Sequence, residues 1–157
     1  MFPGGDLFRG EIPVGILACL VNIAIHAVIM AVLTWTAHRT TVATAAVHAR
    51  ARLILVMMAT VMVLMLAHML EIGAWGLTYV AVGAVEQPGD SFYLAFVNYT
   101  TLGYGDVLPV RRWRLLGPMA AMNGVLLFGW STAVIYDILR TIAHIIPLKS
   151  AQPETTG

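Results

Sequence analysis

Residues 101–106 read Thr-Leu-Gly-Tyr-Gly-Asp, and the chemistry open to that stretch lies mostly in its backbone. Several copies of such a loop around an axis can stack rings of carbonyl oxygens that replace the hydration shell of a dehydrated cation. Successive carbonyls face one side only if some residues take left-handed dihedrals, which Gly103 and Gly105 accept without steric cost. Thr101 can add a hydroxyl ring at the inner end, and Tyr104 can point away from the axis and brace the loop through packing and its phenol. Asp106 would place negative charge at the outer mouth. A glycine pair also marks plain re-entrant or surface turns, so the neighbouring elements must decide between these readings.

A second group of chemistry-bearing residues sits in the middle of apolar runs. Asn22 and His26 share a helical face at i, i+4, as do His68 and Glu71 at i, i+3, and Asn123 lies toward the middle of the last run. A charged group at membrane depth costs at least about 2.5 kcal/mol, so these side chains should face protein or water and have partners. One layer of Asn22, His26, His68 and Glu71 is the economical arrangement. Three roles stay open for it: a layer through which proton binding alters a gate, polar groups that only satisfy one another between helices, or a transition-metal site of His26, His68 and Glu71. Cys19 is the only cysteine, which leaves no disulfide within the chain and no thiolate metal site, and it suits apolar packing. Met57, Met58, Met62, Met65 and Met69 suit lipid-facing or packing positions.

The elements that must position these residues belong in a membrane. Of 157 residues, 59% are hydrophobic and 11% charged, against about 25% charged in soluble domains. Mean hydropathy is +0.82. A crossing takes about 20 apolar residues, so the length supplies three crossings and leaves no room for a soluble regulatory domain. The net charge of +1, with basic residues in short clusters, excludes a nucleic-acid partner. Residues 1–6 lack the positive region of a secretory signal, and the apolar run that follows is too long for one, so it reads as a retained helix.

The expected order is an N-terminal segment 1–11, helix one over 12–36, a connection 37–52, a pore module 53–146 and a disordered tail 147–157. Within the module come an outer helix 53–85, a short helix 91–100, the loop 101–106 and an inner helix 115–146. The outer helix is too long for the hydrocarbon and must break near Gly73 or Gly76, or tilt and project, the last being the favoured reading. Glu86-Gln87-Pro88-Gly89-Asp90 is a turn signal, with Asp90 or Ser91 placed to cap the short helix. Arg39, Arg50 and Arg52 put the 37–52 connection in the cytoplasm, so the N-terminus lies outside and the C-terminus inside, with Arg111, Arg112 and Arg114 outside against the rule. A helix too short to span, followed by irregular backbone, is tolerated at that depth where it is buried in protein or lines water.

At Thr101-Leu102-Gly103-Tyr104-Gly105-Asp106 the chain resembles the potassium channels, whose filter reads TVGYG, with Leu102 in place of valine. Phe92-Tyr93-Leu94-Ala95-Phe96-Val97-Asn98-Tyr99-Thr100 looks like the pore helix of bacterial and two-pore-domain members. Gly124-Val125-Leu126-Leu127-Phe128-Gly129-Trp130-Ser131-Thr132-Ala133 resembles their inner helix. The resemblance covers 53–146, and helix one is an addition to that plan.

The resemblance implies an all-α membrane protein, three transmembrane helices plus a re-entrant pore helix and selectivity-filter loop, tetrameric around a central pore. By the same resemblance K+ binds at Thr101, Leu102, Gly103 and Tyr104, with Gly105 completing the filter; Tyr93, Val97, Asn98 and Thr100 support it; and Gly124 and Gly129 form the inner-helix hinge. Val125, Phe128 and Thr132 should face the cavity and Tyr136 the inner gate. The pattern departs from bacterial members at Val97, where an acid is common, and at Tyr93-Leu94, where two tryptophans are expected. Asn98 either braces the filter or faces a neighbouring helix. The absence of a regular arginine series argues against a voltage sensor.

The function so implied is passive, potassium-selective conduction by a homotetramer in the cell membrane, the inner membrane in a bacterium. No enzyme activity and no cofactor beyond K+ is expected, and the partners are membrane lipid and other copies of the chain. The alternatives are a poorly selective monovalent cation channel and a potassium transporter subunit.

Overall fold

The computed structural model describes residues 10–41 and 49–145. Most of the expected N-terminal segment, the middle of the 37–52 connection and the whole 147–157 tail lie outside the described residues. The described elements are helices α1 (Glu11–Thr41), α2 (Ala49–Val82), α3 (Asp90–Tyr99) and α4 (Leu116–Ile145), with a 3-10 turn at Arg111–Trp113 before α4. The protein is all-helical over these residues, and three stretches are long and apolar enough to cross a membrane: Glu11–Ala37, Leu53–Val82 and Arg111–Thr141. It is a membrane protein, with α3 too short to span.

Helix α2 runs unbroken past Gly73 and Gly76, which sets aside the alternative of a break there and leaves tilt and projection. Its 34 residues measure about 51 Å at 1.5 Å per residue, well beyond the roughly 30 Å hydrocarbon. It ends at Val82 and not at Val85. Gly83 takes φ +62°, and the Ala84 and Gly83 amides donate back to the carbonyls of Tyr79 at 2.9 Å and Val80 at 3.2 Å. That pair of bonds is a Schellman closure, which a left-handed glycine permits and which satisfies carbonyls the helix would otherwise leave bare. Helix α1 in turn extends past the expected end at 36.

The expected cap of α3 is also corrected. Its N-cap residue is Gly89, no side chain caps the helix, and Ser91 Oγ is buried without a hydrogen-bond partner. Asp90 lies in the first turn, where a carboxylate interacts favourably with the helix dipole.

Two apolar clusters hold the helices together. One contains Ala18, Ile72, Trp75, Tyr79, Leu94, Tyr99, Trp113 and Leu116, and the other Met30, Leu64, Val134 and Ile138. Between them in sequence along α1, α2 and α4 lie the buried polar residues Asn22, His26, His68, Glu71, Asn123 and Ser131. The polar residues therefore form a seam between two dry layers. Helix α1 packs on both α2 and α4, so it closes the groove between them.

Candidate functional site

Helix α3 delivers the chain into the 101–106 loop. The Thr100 amide donates to the Phe96 carbonyl, that of Thr101 to Asn98 at 3.0 Å, and that of Leu102 to Val97 at 2.9 Å. These bonds use the last carbonyls of α3 and turn the chain out of the helix. Positive φ then recurs at alternate residues: 60° at Thr101, 59° at Gly103 and 77° at Gly105. Alternation between left- and right-handed dihedrals lets consecutive carbonyls face one side, which a strand cannot do. Thr101 is the described non-glycine residue with positive φ, and composition gave no sign of it.

Around the loop, Tyr93 donates its hydroxyl to Asp106 Oδ2 at 2.6 Å, linking the start of α3 to the end of the loop. That hydrogen bond holds the Asp106 carboxyl below its ordinary range and pushes the Tyr93 phenol above its own. Asn98 donates to the Tyr79 hydroxyl at 3.2 Å, a contact with the neighbouring helix α2. Thr100 returns its hydroxyl to the Phe96 carbonyl at 2.8 Å. Val97 is buried, while Leu102 and Tyr104 are exposed in the single chain. Beyond Asp106 a cavity of about 320 Å³ is lined by Glu86, Asp90 and Asp106 together with Arg111 and Arg114. Arg111 and Arg114 thus share this cavity with three acids, while Arg112 lies over the Trp113 ring.

The four expected polar residues come together, and the layer is larger than expected. Glu71 Oε1 lies 2.7 Å from His26 Nδ1, and Oε2 lies 2.9 Å from His68 Nδ1. Tyr99, the last residue of α3, donates its hydroxyl to the same Oε2. His68 Nε2 meets Ser131 Oγ at 3.0 Å. Asn123 Oδ1 accepts from Asn22 Nδ2 at 2.9 Å and Trp75 Nε1 at 3.1 Å, and Asn22 also donates to the Glu71 carbonyl at 3.3 Å. Sequence reasoning missed Tyr99, Trp75 and Ser131 because each is an ordinary residue of an apolar helix until its partner is known. Glu11 was missed too: it is buried and accepts from the Leu115 amide at 3.3 Å.

His26, His68 and Glu71 also bring their ligand atoms within 4.8 Å of one another, a donor set open to a transition metal. Hydrogen bonds already engage both carboxylate oxygens, however, so the carboxylate is satisfied by donors as it stands.

On α4, Val125, Thr132 and Tyr136 share an exposed face. Phe128 is 37% exposed on that side, yet its ring also packs on those of His68, at 4.6 Å between centroids, and Tyr99, at 5.4 Å. The helix passes through Gly124 and Gly129 without interruption. Gly129 faces open space, whereas a Cβ on Gly124 would collide with the Tyr99 carbonyl. Gly124 is thus where α4 and the end of α3 touch backbone to backbone.

A helix too short to span leads into a loop of alternating dihedrals, and α4 carries an exposed face. No curated protein and no solved structure matches the chain. Residues 16–141, which take in α1 as well as the loop and its flanking helices, match the ion channel family. The chain belongs to the ion channel family.

Proposed function

We propose that four copies of this chain surround a common axis as a potassium-selective channel, with residues 101–105 as its filter and passive K+ flow as its activity. The observation that carries this reading is the recurrence of positive φ at Thr101, Gly103 and Gly105, a pattern that lets successive carbonyls face one side. One chain supplies one side of such a stack, so the rings need symmetry-related copies, and the exposure of Leu102 and Tyr104 leaves room for them. The C-terminal end of α3 aims its partial negative charge at the start of the loop, which favours a cation there. K+ would bind between the carbonyls of Thr101, Leu102, Gly103 and Tyr104, below the Asp106 ring. Val125, Thr132 and Tyr136 would line the inner pore, and the 37–52 connection and C-terminus would lie in the cytoplasm.

The test is reconstitution into liposomes with bi-ionic reversal potentials. The expected result is a strong preference for K+ over Na+. Equal permeability would replace this reading with a poorly selective cation channel, and flux that requires a counter-transported solute would point to a transporter subunit.

A further inference from the structure

The Glu71 carboxylate is fully buried and collects hydrogen bonds from two other helices: His26 on α1 and Tyr99 on α3, with His68 from its own helix. Tyr99 stands two positions before Thr101, and its carbonyl rests against Gly124. A shift of the carboxylate therefore reaches the root of the loop through one hydroxyl. From α4 the layer receives Ser131 and Asn123, both uncharged, beside the rings of Phe128 and Trp130. Glu71, His26, His68 and Tyr99 are thus the titratable groups facing the layer among the described residues.

Two buried atoms of this layer have no hydrogen-bond partner, Asn22 Oδ1 and His26 Nε2, and only the imidazole nitrogen is basic enough to take up a proton. With both imidazoles neutral and protonated on Nδ1, the carboxylate accepts from His26, His68 and Tyr99, His68 Nε2 accepts from Ser131, and a net charge of −1 stays buried. His26 Nε2 is then a buried nitrogen with no hydrogen-bond partner. A proton taken from water at that nitrogen makes an imidazolium paired with Glu71, and the layer becomes neutral. The Trp130 ring, 5.2 Å from the His26 ring, is within the range at which an aromatic face stabilises a cation.

We infer that Glu71 is a positioning residue for the 101–106 loop, gripping Tyr99 in a geometry that depends on a proton held at His26 Nε2. This rests on the channel reading. Loss of that proton leaves an uncompensated carboxylate at membrane depth, and the layer relaxes by moving the groups around Glu71, Tyr99 among them.

The test measures K+ flux from liposomes between about pH 5 and pH 8, in the full-length protein and in Tyr99→Phe and His26→Gln. Wild-type flux should fall by about tenfold as pH rises, a size typical of coupling between protein sites. Both variants should give flat profiles at unchanged K+ over Na+ preference. Either variant suffices if the other does not assemble. In wild-type protein the same pH change should alter an imidazole infrared component that is lost in His26→Gln; a protonated-carboxyl component that is lost in Glu71→Gln instead would place the proton on Glu71 and overturn the assignment. A conducting wild type with a flat or rising profile, or a Tyr99→Phe that keeps the wild-type profile, would also overturn it while leaving the channel reading intact. No K+ flux at any pH would overturn the channel reading itself. A pH response abolished by EDTA and restored by zinc alone would put a metal among His26, His68 and Glu71 in place of the proton.

Discussion

The 101–106 loop and the buried polar layer are built in opposite ways. The loop draws its geometry from consecutive residues, and it uses backbone dihedrals at Thr101, Gly103 and Gly105 while leaving Leu102 and Tyr104 exposed. The layer draws on side chains from four helices, including Asn22 and Asn123, which are 101 positions apart. Its members Asn22, His26, Glu71 and Tyr99 are fully buried. A site made of backbone can be carried by a short motif, because only the dihedrals and the flanking helix matter. A site made of converging side chains exists only when the helices pack in one register. The two regions meet at Tyr99, which ends α3 and binds Glu71.

The contrast predicts that variants in the loop abolish conduction, whereas variants in the layer lower stability with selectivity retained. The largest effect is expected for Gly103→Ala. A Cβ in a left-handed conformation costs about 1 kcal/mol per chain, and in the proposed tetramer four chains acting together would reduce the conducting population by roughly three orders of magnitude at about 1.4 kcal/mol per decade. Liposome flux reads it, and wild-type flux in this variant would mean that the loop does not conduct.

Next comes Glu71→Ala, which strips three donors of their buried acceptor and should cost roughly 3 kcal/mol. Unfolding in detergent measures the loss, and bi-ionic potentials on the surviving channels should give the wild-type selectivity. A stable protein with altered selectivity would erase the distinction between the two regions. Gly124→Ala tests their junction. Its methyl would press on the Tyr99 carbonyl at a cost of about 2 kcal/mol, typical of overpacking, whereas Gly129→Ala, facing open space, should be close to neutral in the same assay.

The smallest effect belongs to Tyr93→Phe, which removes the hydrogen bond that keeps the Asp106 carboxyl below its ordinary range. A carboxyl with a depressed pKa keeps its charge as pH falls until that lower value is reached, so the variant loses the charge at a higher pH. Conductance titrated with external acid should therefore drop at a higher pH in Tyr93→Phe than in wild type. Coincident titrations would show that Asp106 is not the mouth charge that matters.

What could be read in advance follows this division. The apolar runs declared the three long helices, because hydrocarbon demands length and apolarity wherever a chain crosses it. Their ends were less legible. Gly83 is a helix-stopping residue that was overrun by continued hydrophobicity to Val85, and Asp90 and Ser91 promise a cap that Gly89 occupies instead. Asn22, His26, His68 and Glu71 could be grouped from depth and spacing alone, since buried polar groups need partners. Tyr99, Trp75 and Ser131 could not, because a polar tip on an otherwise apolar side chain gives no indication of the helix it will face.

The amino-acid sequence by itself determined that this is a membrane protein with a glycine-bearing loop between a short helix and a long one, because length, apolarity and glycine act locally. Only the tertiary structure decided that α1 fills the groove between α2 and α4, that Gly124 touches the Tyr99 carbonyl, and that Glu71 reaches the end of the short helix. Those outcomes depend on the rotation and axial register of each helix against its neighbours. Both are set by many small packing contacts at once, and no single residue encodes them.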